Sequence, residues 1–144
     1  MSKIAVVYWS GTGNTAAMAE ALAKGAKKSA EVTVYDIDQK PFVADTIADY
    51  DGIMFGCPAM GDEVLEESSF EPMFADVESK LGGVPVLLFG SYGWGGGAWM
   101  RNWENRVKDA EGKLFAEGLT AENTPDDATL AQCEKSGEDF AKSL

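Results

Sequence analysis

The sequence predicts a doubly wound α/β domain: a five-stranded parallel sheet with helices on both faces. Three observations predict it. Short apolar runs recur along the chain and alternate with segments of helical character. A Gly- and hydroxyl-rich turn joins the first apolar run to the first helical segment. The 144 residues, 45% of them hydrophobic, suit one ordinary core spanning 1–144.

Each element has its own reason. Ile4-Ala5-Val6-Val7-Tyr8 is a continuous apolar run, as in strands buried on both faces, and sets a strand over 3–8. Residues 14–28 form a helix. Glu31-Val-Thr-Val-Tyr-Asp36 alternates and reads as a second strand. A loop with a short helical turn near 43–48 follows. Gly52-Ile-Met-Phe-Gly56 is a third, buried strand, 68–79 a helix, and Val84-Pro-Val-Leu-Leu-Phe-Gly90 a fourth strand. Residues 98–110 form a helix, 113–120 a weaker, split strand, and 126–142 a last helix. In such sheets ligands bind beyond the carboxyl ends of the strands. The loops 9–15, 57–67 and 91–97 should therefore form a site.

The first of these loops carries the strongest chemistry. Ser10-Gly11-Thr12-Gly13-Asn14-Thr15 follows a strand and opens a helix. Backbone N–H groups and the positive helix end converge there on an anion. The hydroxyls of Ser10, Thr12 and Thr15 and the Asn14 amide add donors. The loop has no Lys or Arg, so neutral donors alone would hold a phosphate. Gly11-x-Gly13-x-x-Ala16 also fits the dinucleotide fingerprint, with Asp36 about 20 residues on as a ribose acid. The dense hydroxyls favour a terminal phosphate instead, and the chain is short for a second nucleotide-binding half. The G-x-x-x-x-G-K-[ST] pattern of nucleotide hydrolases is absent, as are the acidic residues that a phospho-receiver needs after strand one.

Composition narrows the classes further. Twelve basic residues against 24 acidic give a net charge of −12, with no His. That argues against nucleic acid and anionic membranes, for basic partners, and against His general-base catalysis. No basic residue falls between Lys40 and Lys80, a stretch holding Asp45, Asp49, Asp51, Asp62, Glu63, Glu66, Glu67, Glu71, Asp76 and Glu78. Such acidity serves either solubility or docking. Cys57 and Cys133 fit no metal or redox motif and read as buried thiols. With no signal segment and no long apolar run, the expectation is a cytoplasmic protein.

Two further loops bear on a planar ligand. In Cys57-Pro58-Ala59-Met60-Gly61-Asp62-Glu63, Met60 reads equally as core filler or as a thioether laid on a ring. Gly61 can change its backbone conformation cheaply, and Glu63 can accept from a ring N–H. In Gly90-Ser91-Tyr92-Gly93-Trp94-Gly95-Gly96-Gly97, glycines flank Trp94 and leave it few packing partners, so stacking on a ligand explains it better than burial. Trp99 and Trp103, four residues apart on the next helix, read as core. Trp9 is placed beside the phosphate loop.

Taken in order, Ser10-Gly-Thr-Gly-Asn-Thr15, Met60-Gly-Asp-Glu63 and Gly90-Ser-Tyr-Gly-Trp-Gly95 resemble the phosphate loop and the two ring-flanking loops of short-chain, clostridial-type flavodoxins. The likeness spans essentially the whole chain and includes Glu71-Pro72. It implies a flavodoxin-like sheet of order 2-1-3-4-5 holding one non-covalent FMN. It implies that Ser10, Thr12, Asn14 and Thr15, with the Gly11 and Gly13 backbone, hold the phosphate. Met60 and Trp94 would sandwich the ring, within contacts running over Pro58, Ala59, Gly61 and Asp62 and over Ser91, Tyr92 and Gly95. Glu63 would take the ring N3–H, the Gly93 and Trp94 amides would sit near N1 and O2, and the Gly61 carbonyl would turn to N5–H on reduction. Two departures stand out. Gly96 replaces a larger or acidic residue, and Pro58 replaces a hydroxyl, so it cannot donate to phosphate.

The implied function is that of a low-potential one-electron carrier, not an enzyme. It would cycle mainly between semiquinone and hydroquinone, as a monomer, and dock through an acidic rim from Asp62 to Glu78 on basic patches of redox partners. The alternative is a small FMN-dependent NAD(P)H:quinone reductase. Against it, Met60 and Trp94 would cover both ring faces, and no basic residue near the loops is expected to receive a 2′-phosphate. A binding module with a vestigial flavin site is a third reading, opposed by retention of all three loops.

Overall fold

A computed structural model describes residues 1–144. One parallel sheet runs through it. Its strands are β1 (Ser2–Tyr8), β2 (Ala30–Asp36), β3 (Gly52–Gly56), β4 (Pro85–Tyr92), β5 (Lys113–Leu114) and β6 (Leu119–Glu122). Their order is β2-β1-β3-β4-β5, and β6 also pairs with β4. The fifth strand is thus split, as its weak pattern suggests. Both halves lie parallel on β4, Val86 opposite Leu114 and Ser91 opposite Ala121.

The period-two geometry of the strands sorts the core into two layers. Ile4 and Val6 face one side, with Met54, Leu87 and Phe89; Ala5 and Val7 face the other, with Ile53, Phe55 and Leu88. Helices α1 (Asn14–Ala26) and α4 (Asp127–Ser143) cover the first side through Met18, Leu22, Cys133 and Phe140. Helices α2 (Phe70–Glu78) and α3 (Ala98–Asp109) cover the second through Phe70, Phe74, Trp99 and Trp103. Burial on both faces is what makes β1, β3 and β4 continuous apolar runs. A short 3-10 helix, Ala44–Asp49, occupies the expected helical turn. No helix is long and apolar enough to cross a membrane.

One boundary differs in a way that matters. Strand β4 continues through Ser91 and Tyr92, which the sequence places in a loop. Pairing with β6 extends it: Tyr92 lies opposite Glu122. Trp99 and Trp103 are buried as expected, and Trp99 donates its indole N–H to the Cys57 carbonyl at 3.1 Å. The order reverses at β1, whose neighbours β2 and β3 lie on opposite sides, so a crevice opens at the carboxyl ends of β1, β3 and β4.

Candidate cofactor site

The first loop leaves β1 at Tyr8 and enters α1 at Asn14. Gly13 turns the corner with φ at +94°, a left-handed conformation that glycine adopts without strain. The Ser10 hydroxyl oxygen accepts from the Gly13 and Ala16 amides, at 3.1 and 3.2 Å. Thr12 Oγ1 accepts from the Asn14 amide at 3.4 Å. Ser10 thereby caps the first turn of α1 and fixes the loop. Gly11, Thr12 and Gly13 remain exposed. The Trp9 ring backs the loop so closely that a Cβ on Gly11 would lie 2.9 Å from it.

Thr15 behaves differently from the other hydroxyls. It is buried, and its Oγ1 lies 3.0 Å from Ser91 Oγ and accepts from the Ser91 amide at 3.3 Å. The first loop is thus tied to the end of β4.

The second loop is fastened at both ends. The Ala59 amide donates to the Ser91 carbonyl at 2.9 Å, while Met60 and Val64 exchange two backbone bonds of 2.8 and 2.9 Å. Gly61, Asp62 and Glu63 form the turn between them, with Gly61 at φ +51° and Glu63 at φ +57°. Met60 is exposed, which removes the core-filler reading. Glu63 reaches across to α3: its Oε1 accepts from the Gly97 and Ala98 amides at 3.1 and 2.9 Å. Below the turn, the buried Glu66 carboxylate accepts from the amides of Ser68, Ser69 and Phe70 at 2.7, 2.7 and 2.8 Å, capping α2. Burial alone would raise its pKa; the three amides outweigh burial and hold it below the ordinary glutamate value.

The third loop presents Trp94 with 64% of its surface exposed, between Gly93 and Gly95. Gly95 and Gly97 take φ of +89° and +82°. Contrary to the expectation of no nearby base, Arg101 touches this loop: its Nη1 donates to the Gly96 carbonyl at 2.8 Å. Gly96 itself has room, with only Arg101 within 4.0 Å of a notional Cβ.

Between the three loops lies a cavity of about 230 Å³. Trp9, Gly11, Thr12 and Asn14 line it from the first loop, Pro58, Ala59 and Met60 from the second, and Ser91, Tyr92 and Gly93 from the third. Asn123 completes the wall. The sequence reading missed Asn123. It follows β6 at the same sheet edge, holds φ at +57°, a conformation Asn tolerates, and bonds its amide to the Tyr92 carbonyl at 2.7 Å. Its only signal was its place after a strand. Ser10, Gly13 and Thr15 do not line the cavity, nor do Gly61, Asp62, Glu63, Trp94 and Gly95. Asp36, the ribose acid of the dinucleotide reading, accepts from the Asp38 amide in a local turn.

No Lys or Arg lines the cavity, so it offers a phosphate amides and hydroxyls only. An exposed thioether, Met60, lines it, and the exposed Trp94 indole follows the lining residue Gly93 in the chain. This donor set fits the phosphate ester of a planar ring, the chemistry of FMN.

The thiols take no part. Cys57 is fully buried beside the cavity; burial pushes its thiol up and keeps it protonated. Burial likewise pushes Cys133 up to about 11.

The acidic rim is less available than its residues suggest. Arg106, from α3, grips Glu71 at 2.7 and 2.9 Å and Glu78 at 3.0 Å through two nitrogens. Glu63 and Glu66 cap helices, Asp51 accepts from the Lys3 amide, and Asp76 from the Ala44 amide. Asp45, Asp49, Asp62 and Glu67 have no intramolecular partner.

Known proteins match this arrangement. The flavodoxin family model matches residues 6–137. The chain is 46% identical over 123 residues to a flavodoxin of Clostridium beijerinckii, covering 85% of this chain and 88% of that one. It is 44% identical over 139 residues to the flavodoxin of Megasphaera elsdenii, covering 96% and 98%. The solution structure of the two-electron reduced Megasphaera elsdenii flavodoxin superposes with a TM-score of 0.85, at 43% identity and the same coverage.

Proposed function

The chain belongs to the flavodoxin family and is an FMN-binding electron-transfer protein; from that premise we propose that it works as a low-potential one-electron carrier. Bound FMN supplies the redox chemistry. In this reading Ser10, Thr12 and Asn14 and the loop amides hold the phosphate, with Thr15 acting from behind them. Met60 and Trp94 flank the ring and exclude water from its faces. Glu63 offers the ring N3–H its second carboxylate oxygen, Oε2, which has no partner in the fold.

One observation carries the low potential: no cation lines the cavity, in a chain of net charge −12. No cationic side chain lines the cavity to offset the phosphate charge, so adding a second electron to the ring is opposed. The protein would therefore work between its one-electron- and two-electron-reduced states. The untied carboxylates nearest the ring loops, Asp62 and Glu67, would guide basic patches of redox partners to them. A cytoplasmic, monomeric protein goes with this reading.

The reductase alternative gains one observation, Arg101 beside the third loop, the one cation that touches the ring loops. Mixing the FMN-loaded protein anaerobically with NADH or NADPH separates the two. The carrier is expected to stay oxidised until a partner reductase is added; prompt reduction by the nucleotide alone would select the reductase.

A further inference from the structure

The third loop is fastened at its ends and almost free between them. The Tyr92 carbonyl accepts from the Asn123 amide, and the Gly97 amide donates to Glu63. Gly93, Trp94, Gly95 and Gly96 are all exposed, and none of them makes a backbone–backbone hydrogen bond. The one hydrogen bond to this segment comes from Arg101, whose Nη1 donates to the Gly96 carbonyl at 2.8 Å. With three glycines in four positions, the segment is costly to order.

Arg101 is well placed to order it. It stands in the first turn of α3, which Trp99, Met100 and Trp103 anchor in the core. Its guanidinium lies against the base of the loop: a Cβ on Gly96 would be 4.0 Å from Nη2, and one on Gly97 3.6 Å from Nη1. Glu104 and Glu117 line the same cavity as Arg101, yet Arg101 makes no ion pair. Glu104 is engaged elsewhere, its Oε2 accepting from the Gly118 amide at 2.7 Å. The guanidinium is directed instead to a neutral carbonyl, in a charge-assisted bond stronger than a neutral one.

We propose that Arg101 is a positioning residue for the third loop: through the Gly96 carbonyl it holds Trp94 where the indole stacks on the flavin ring. It acts through the loop and not by contact with the cofactor. The inference rests on the reading that FMN fills the cavity. Without the clamp, the glycine run is ordered only when the ring binds, and affinity falls by that cost.

A residue that acts through Trp94 has a signature that an independent charge lacks. The test is a double-mutant cycle on FMN binding, with wild type, Arg101→Met, Trp94→Ala and the double variant. Arg101→Met is expected to weaken FMN about fivefold, the worth of one exposed hydrogen bond, and to leave the apoprotein Tm nearly unchanged. Trp94→Ala is expected to weaken it about tenfold, and the double variant about tenfold as well, not about fiftyfold, since a loop without its indole leaves Arg101 nothing to place. A stacked indole quenches flavin emission, so emission of the bound flavin should rise in each single variant and no further in the double. Wild-type affinity in Arg101→Met would overturn the proposal, with or without a lower apoprotein Tm. Losses that multiply would overturn it too and assign the effect of Arg101 to its charge. Flavin emission unchanged in Arg101→Met but raised in Trp94→Ala would do the same. A wild-type apoprotein that binds no FMN would overturn the functional reading itself, and this inference with it.

Discussion

Glu66→Gln tests how the second loop is held. The Met60–Val64 turn hangs between Cys57 and Glu66, which are themselves joined by the Glu66 amide donating to Cys57 Sγ at 3.3 Å. The Glu66 side chain is buried and takes three amides on two oxygens, Ser69 and Phe70 on Oε1 and Ser68 on Oε2. Glutamine keeps one acceptor oxygen but turns an NH₂ group toward the Ser68 amide. One hydrogen bond to a charged group is lost, at about 1.5–3 kcal/mol, and the other two weaken. The favourable charge at the α2 N-terminus, about 0.3–1 kcal/mol, goes as well. The expected loss is about 3 kcal/mol at pH 7, or roughly 10 °C in Tm for a domain of this size. The folded pKa lies below the ordinary value, so the carboxylate's contribution is fully present above the ordinary glutamate value of about 4.3 and disappears as pH falls through the lower folded value. Thermal melts followed by circular dichroism should show a gap between wild type and variant that is constant from about pH 8 to 5 and closes below about pH 4. A variant melting within a degree of wild type at pH 7, or a gap unchanged down to pH 3, would refute the capping argument.

Three further substitutions probe other parts of the account. Trp94→Ala should leave apoprotein stability within about 0.5 kcal/mol, because the indole is largely exposed, while weakening FMN about tenfold in a fluorescence titration; a destabilised apoprotein with intact affinity would show that Trp94 packs into the protein. Gly61→Val places a β-branched residue at φ +51° with open space around its Cβ, so the cost, about 1–2 kcal/mol, is purely conformational. The variant should also narrow the spacing between the two one-electron potentials, and an unchanged spacing would remove the turn as its cause. Arg106→Met removes two bidentate pairs and the guanidinium lying 4.9 Å from the Phe74 ring centre. The Arg106 side chain is 30% exposed, so solvent screening holds the expected loss to about 2 kcal/mol by urea denaturation; a change under 0.5 kcal/mol would place these pairs with ordinary surface ion pairs.

What could be read from the sequence follows from where the information resides. Strands β1, β3 and β4 announce themselves because burial on both faces demands unbroken apolar runs. The phosphate loop is legible because a strand-to-helix corner needs glycine at a positive φ, met here by Gly13, and because Ser10 is a ready cap. Ser91 and Tyr92 were misplaced because their strand character comes from pairing with β6, not from their own side chains. Asn123 was missed for the same kind of reason: it reaches the cavity only because the split fifth strand ends there. The acidic rim misled most. Arg106 is 28 and 35 residues from the two glutamates it neutralises, and only the packing of α2 beside α3 brings them together. Arg101 reaches back to the third loop because α3 begins beside that loop at Gly97, a geometry that residue spacing alone did not suggest.

The central claim is one-electron transfer at low potential by an FMN protein. Anaerobic stepwise reduction of the FMN-loaded protein, followed by absorbance against potential, tests it most directly. Two resolved one-electron steps are expected, with a long-wavelength band that rises in the first and vanishes in the second, and a second potential well below that of free FMN. A single two-electron bleaching near the potential of free FMN would contradict it and direct attention to hydride chemistry.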